Sequence, residues 1–163
     1  TVSLSRRPCT IQAKIGLVIF LTQFMKTPLP RNVHFPILYN LTQMEFDFNF
    51  NFNDKWRWIL KMLQQSPNLQ HLIIHEEIEN ENGINDNNWE DPSFVPECLS
   101  SRLRTCLLRC SRGTECEVKF VEYVMKNSKV LSIMTIHNSS SISLNTKDEI
   151  LHICPKACKL IFD

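Results

Sequence analysis

The amino-acid sequence predicts an α/β solenoid, in which each stacked unit contributes a strand and a helix. The first observation is an apolar triplet, L-x-x-L-x-L in outline, that recurs along most of the 163 residues. The second is its spacing of about 26 to 34 residues, which is typical of repeat proteins. One such unit cannot bury its apolar face alone, so the units are expected to stack. The copies are Ile15/Val18/Phe20, Leu41/Met44/Phe46, Leu69/Leu72/Ile74, Leu103/Cys106/Leu108, Leu131/Met134/Ile136 and Ala157/Leu160/Phe162.

Helix patterns between the triplets are the third observation. Residues 114–117 read Thr-Glu-Cys-Glu, a capping box in which the Thr and Glu side chains each accept from the other's backbone N–H. Residues 146–149 have the same pattern. Asp54 can cap an earlier helix whose apolar face holds Trp56, Ile59, Leu60 and Leu63. Alternating strands and helices predict parallel strands on one side and helices on the other, joined by right-handed crossovers.

The composition restricts the class of protein. Hydrophobic residues make up 43% of the chain, and the net charge is only +1, which argues against a dedicated nucleic-acid or membrane-surface binder. The apolar run at 15–24 is too short to span a bilayer and lacks a cleavage pattern after it, so we interpret it as a repeat strand. The seven cysteines form no C-x-x-C pair, which predicts reduced thiols in a cytoplasmic or nuclear protein without a metal site.

No arrangement of residues predicts an enzyme. His71 and His75 lie in a strand-like segment, where side chains four apart do not form the helical zinc-protease pair. Cys110 or Cys116 could act as a nucleophile beside a histidine, but no local signature supports that role. The three glycines are scattered, so no phosphate-binding loop is predicted. We expect no catalytic residue and no cofactor.

A binding surface is predicted on the strand positions that alternate with the core. If the last two members of each triplet point inward, their neighbours form two outward rows on adjacent parallel strands, about 5 Å apart. Acidic, imidazole and guanidinium groups mixed with apolar ones suit a peptide or protein partner, although a solvated sheet face without a ligand is the alternative. The tentative protein-binding residues are Glu45, Asp47, Ile73, His75, Leu107, Arg109, Thr135 and His137.

The unusually long step between the triplets at Leu69 and Leu103 indicates an insertion. Residues 77–88 are rich in Asn and acidic residues and show no apolar period, so they are predicted to form a surface loop between two halves. The second half opens with Trp89, Pro92 and Pro96. Each proline favours extended backbone in the residue before it, so this segment is predicted to act as a strap that holds Trp89 against the core.

The second half resembles a known domain. The segment W-E-D-P-S-F-V-P-E-C-L at 89–99, then Leu103, Gly113, Glu117 and the segment V-L-S-I-M at 130–134, is similar to the FBD domain of plant F-box/FBD/leucine-rich-repeat proteins. The resemblance continues to the end, where C-K-L-I-F at 158–162 is similar to the closing strand of that domain. Upstream, residues 35–75 resemble the last leucine-rich repeats of the same family.

The resemblance implies a fold and an organisation. The buried Asn that follows each triplet in regular repeats appears only at Asn49, so an irregular leucine-rich-repeat-like solenoid ending in an FBD domain is expected. Residues 1–76 would be degenerate leucine-rich repeats, with 1–30 assigned only as a repeat strand. Residues 77–88 would be the acidic, Asn-rich loop, and residues 89–163 the FBD domain.

The resemblance also implies a function. Such proteins are similar to substrate receptors of Skp–cullin–F-box ubiquitin ligases, in which an F-box docks on the adaptor and the repeats hold a protein target. Leu29-Pro30-Arg31 runs into a repeat triplet rather than an F-box, so adaptor binding is expected only through an F-box absent from this sequence. The alternatives are a structural cap of the solenoid, a truncated non-functional family member, and a cysteine-dependent redox or metal protein.

Overall fold

The structure, a computed structural model, describes residues 11–12, 34–48, 55–76, 89–109, 113–137 and 142–163. The described strands are β1 (Ile11–Gln12), β2 (Gln43–Phe48), β3 (His71–Glu76), β4 (Thr105–Arg109), β5 (Ile133–Ile136) and β6 (Lys159–Phe162). The described helices are α1 (Trp56–Gln64), α2 (Glu97–Ser101), α3 (Glu115–Asn127) and α4 (Leu144–Ile153). Several predictions fall on residues outside these ranges: the copy at 15–20, the Asn at 49, the cap at 54 and the loop at 77–88.

The strands form one sheet in which each strand pairs with the next one in the sequence. The order is β1-β2-β3-β4-β5-β6, and β2 to β6 run parallel. A helix lies in each connection from β2 onward, which confirms the predicted α/β fold with parallel strands. The expectation that every strand is parallel is wrong at β1, which pairs antiparallel with β2 through Ile11 and Phe46.

The register aligns the triplets across the sheet. Met44, Leu72, Cys106, Met134 and Leu160 are successive partners, and the third members of the triplets form a second inward row. Every member of the four central triplets is buried, which confirms the predicted inward face. The last triplet is less enclosed, because β6 lies at the end of the described sheet and its apolar side chains are half-buried.

The helices cover this inward face and share its core. Trp58, Ile59 and Leu63 of α1 are fully buried, as are Phe120 and Val124 of α3. Their side chains belong to the same apolar cluster as the strand triplets. None of the helices that the structure describes has the length and apolar character needed to cross a membrane.

Helix α2 was not predicted from the sequence. It spans only Glu97–Ser101 and begins after the buried Pro96, and it places Cys98 and Leu99 in the core. Five residues are too few for a helical apolar period to be recognised.

The predicted helix starts have different outcomes. At α3 the Thr114 hydroxyl accepts from the Glu117 N–H at 3.3 Å, and the Thr114 N–H donates to Glu117 Oε2 at 2.8 Å, which confirms the capping box. The predicted start at Thr146 is wrong, because α4 is capped by Ser143, whose hydroxyl accepts from the Thr146 N–H at 3.1 Å. Thr146 is instead the third residue of the helix, where its own N–H is one of the donors that a cap satisfies.

We expect Thr114→Ala to lower the free energy of unfolding by about 1 kcal/mol, because the N–H of Glu117 loses its acceptor. Urea unfolding measures this loss. Thr146→Ala is the matched control, since it removes only the contact between the Thr146 and Ser143 hydroxyls and keeps Ser143 as the acceptor for the N–H of residue 146. Equal losses in the two variants would show that Thr114 does not cap α3.

Trp89 packs into an aromatic cluster, as predicted for the strap. Its ring centroid lies 4.5 Å from that of Trp56 and 6.0 Å from that of Tyr123, and its indole N–H donates to Asp91 Oδ1 at 2.9 Å. Burial raises the pKa of Tyr123 to about 12, so its hydroxyl stays protonated and donates to the Phe94 carbonyl at 2.6 Å. These contacts fasten the segment after Trp89 to α1 and α3.

Candidate protein-binding face

The first predicted outward row forms a continuous line across four strands. Glu45 pairs in register with Ile73, Ile73 with Leu107, and Leu107 with Thr135. The line exists because each residue follows a buried triplet member, and side chains alternate between the two faces of a strand. Neighbours in the line are about 5 Å apart, as in any sheet. All four side chains are half-buried.

The second predicted row lies two residues further along each strand. Asp47 pairs in register with His75, and His75 with Arg109. His137 follows the end of β5, and its N–H donates to the Leu108 carbonyl at 2.8 Å. Arg109 is exposed, whereas His75 and His137 are half-buried; only the backbone of Asp47 is described. The backbone therefore places the eight predicted residues in two rows that alternate with the buried triplets.

Two histidine–carboxylate contacts fix side chains on this face. The Nε2 atom of His75 lies 2.7 Å from Oε1 of Glu45, which links the two rows diagonally. Near the last strands, Nδ1 of His137 lies 2.9 Å from Oδ2 of Asp163. Both imidazoles are partly exposed, so each retains an accessible edge. Because the rings are already held in place, binding a partner would cost less side-chain entropy.

The sequence prediction missed part of the face. His71 and Thr105 are partners in register, and Nδ1 of His71 lies 2.9 Å from the Thr105 hydroxyl. They stand two residues before Ile73 and Leu107, so extending the alternation backward would have found them. Ile161, the partner of Thr135, extends the first row onto β6. The last apolar triplet could have indicated it.

Metal binding and thiol chemistry each require particular arrangements of side chains. Across the ranges that the structure describes, no three His, Cys, Asp or Glu side chains are grouped as a metal site. Burial raises the pKa of Cys98 and of Cys106 to about 12, so neither is a thiolate near neutral pH. Of the two cysteines considered as nucleophiles, Cys116 is buried in α3, and Cys110 lies outside the described residues.

Comparison with known proteins gives consistent matches. The FBD family profile matches residues 90–136. An F-box/FBD/LRR-repeat protein of Arabidopsis thaliana is 27% identical over 155 residues, covering 91% of this chain and 34% of its own length. A second protein of that description is 29% identical over 127 residues, covering 74% of this chain and 28% of its own.

A third Arabidopsis thaliana protein, described as a putative FBD-associated F-box protein, is 40% identical over 81 residues, covering 45% of this chain and 19% of its own length. The chain thus spans between 19% and 34% of the length of these three relatives. No solved structure matches it.

Proposed function

We propose that this chain, which is similar to the FBD-containing C-terminal part of plant F-box/FBD/leucine-rich-repeat proteins, is a protein-interaction module. It would hold the target protein of a Skp–cullin–F-box ubiquitin ligase. The chain itself would carry out no chemistry and bind no nucleic acid or membrane. We expect its thiols to be reduced, as is usual for proteins of the cytoplasm or nucleus.

The proposed architecture is an irregular leucine-rich-repeat-like solenoid. It is supported by the pairing of each parallel strand with its sequence neighbour and by the alignment of the buried triplets. Residues 1–76 would be degenerate repeats, 77–88 a connecting loop and 89–163 the FBD domain. The family match at 90–136 lies inside the last of these segments.

The observation that carries the function is the chemistry of the outward rows. Ile73 and Leu107 are adjacent in register and half-buried, and they are bordered by Glu45, His75 and Arg109. Protein interfaces commonly combine an apolar centre with polar groups at the rim, and arginine is enriched in them. A target with exposed apolar side chains next to an acidic group would complement this surface.

Arg109→Ala is expected to weaken target binding about tenfold or more, as is common for an interface arginine. Affinity purification of the full-length receptor followed by titration of the recovered target measures the effect. Arg102→Ala is the matched control, because Arg102 is also exposed but lies at the end of α2 rather than on the rows. Equal binding by both variants would contradict a target site on this face.

A structural cap is the second candidate. It is favoured by the aromatic cluster of Trp89, Trp56 and Tyr123, through which the FBD segment packs against α1. Capture of tagged proteins from cells distinguishes the two functions. The full-length receptor and this chain alone are each tagged and captured. Target recovery with both proteins, and adaptor recovery only with the full-length receptor, supports the interaction module. If this chain recovered no target and a receptor lacking it still did, the structural cap would be correct.

A further inference from the structure

The outer edge of β6 presents backbone groups for pairing. Within the described part of the chain, β6 has a neighbour on one side only, which is β5. The N–H of Lys159 donates to the Ser132 carbonyl and that of Asp163 to the Ile136 carbonyl, so the backbone groups of these residues point toward β5. Since these groups alternate along a strand, those of Leu160 and Phe162 point to the open edge, where another strand can pair.

The adjacent helix adds apolar surface to this edge. Leu144, Lys147 and Leu151 lie three and four residues apart, so they share one side of α4. The Nζ atom of Lys147 lies 5.5 Å from the ring centroid of Phe162, which places this side of the helix beside β6. Leu144 is 78% exposed and Leu151 is 52% exposed. The edge therefore combines a helix stripe, in which two exposed leucines flank Lys147, with strand groups that pair with no described strand.

We propose that this edge binds a second copy of the chain, with the two β6 strands antiparallel about a two-fold axis at Ile161. In that register Leu160 lies opposite Phe162 of the second copy, and both use their outward N–H and C=O groups. Ile161 lies opposite Ile161 of the second copy, and both side chains are on the other face of the sheet. The same register places Lys159 opposite Asp163 of the second copy, so each end of the strand carries an ion pair.

The charges are what single out a second copy. An unrelated extended peptide could use the backbone groups, but β6 begins with the cation of Lys159 and is followed by the anion of Asp163, and antiparallel pairing with itself matches both. The carboxylate of Asp163 is 67% exposed although its Oδ2 lies 2.9 Å from His137, so it can also accept from the lysine. The α4 stripes of the two copies would lie at the same junction.

Sedimentation equilibrium of the whole chain tests the proposal. The wild type is expected to form a dimer, and Lys159→Asp and Asp163→Lys are each expected to raise its dissociation constant about tenfold, because each makes both end pairs repulsive. Mixing the two variants restores opposite charges at both ends, so a mixed dimer close to wild-type strength is expected. Lys156→Asp, an exposed position outside β6, and His137→Gln, which removes the contact with Asp163, should leave the dimer unchanged.

Four results would overturn the proposal. The first is a wild type that stays monomeric at all concentrations, and the second is single variants that dimerise as well as the wild type. The third is a mixture of the two variants in which dimerisation does not recover. The fourth is a monomeric chain whose β6 edge binds a peptide of the target instead. Each variant alone is expected to dimerise weakly, so recovery of the dimer in the mixture also shows that both variants are folded.

Discussion

Leu72→Ala is expected to lower the free energy of unfolding by about 2–5 kcal/mol, the usual range for a leucine truncated in a tightly packed core. Leu72 is fully buried in β3, in register between Met44 and Cys106, so the cavity would open at the centre of the inward row. Urea unfolding followed by circular dichroism measures the change.

Ile73→Ala is the control for that experiment, because Ile73 is the next residue in the same strand but points to the outward face and is half-buried. It should lower the free energy of unfolding by about 1 kcal/mol, because less buried apolar area is lost. If Ile73→Ala were the more destabilising of the two, the assignment of inward and outward positions would be wrong.

Trp89→Ala is expected to lower stability by about 3 kcal/mol, the lower end of the range for buried aromatic truncations, since Trp89 is half-buried. The loss comes from its packing on Trp56 and Tyr123 and from the detachment of the segment that follows. Thermal unfolding measures the effect, and Trp89→Phe should retain most of the stability because a ring remains in the cluster.

The same variant separates packing from recognition at Trp89. Below its unfolding temperature, Trp89→Ala should bind the target like the wild type, because the outward rows do not include the aromatic cluster. Unchanged stability combined with lost binding would instead make Trp89 part of the recognition site.

Much of the sheet could be predicted because one apolar pattern recurs in each unit. A triplet such as Leu103/Cys106/Leu108 fixes which strand residues point inward, and the repeat spacing fixes the order of the strands. The predictions that failed concern local features. The antiparallel direction of β1 depends on how the chain reaches the sheet, and helix α2 is shorter than one apolar period. The start of α4 was misplaced because Ser143 and Thr146 both fit the cap pattern.

The candidate face was predictable to the same extent. Alternation along each strand places Ile73, His75, Leu107 and Arg109 outward without knowledge of the structure. The contacts between these side chains were not predictable, because the pairs of Glu45 with His75 and of His137 with Asp163 join residues of different strands. Their distances depend on strand register and rotamer, which no local sequence pattern specifies.

Photo-crosslinking to the target tests the central claim most directly. A photoreactive side chain at position 107, in the middle of the first outward row, is compared with one at position 126, an exposed position on α3. Neither position belongs to the inward triplets, and both variants are introduced into the full-length receptor. The account predicts that the target is cross-linked from position 107 and not from position 126, and cross-linking only from position 126 would contradict it.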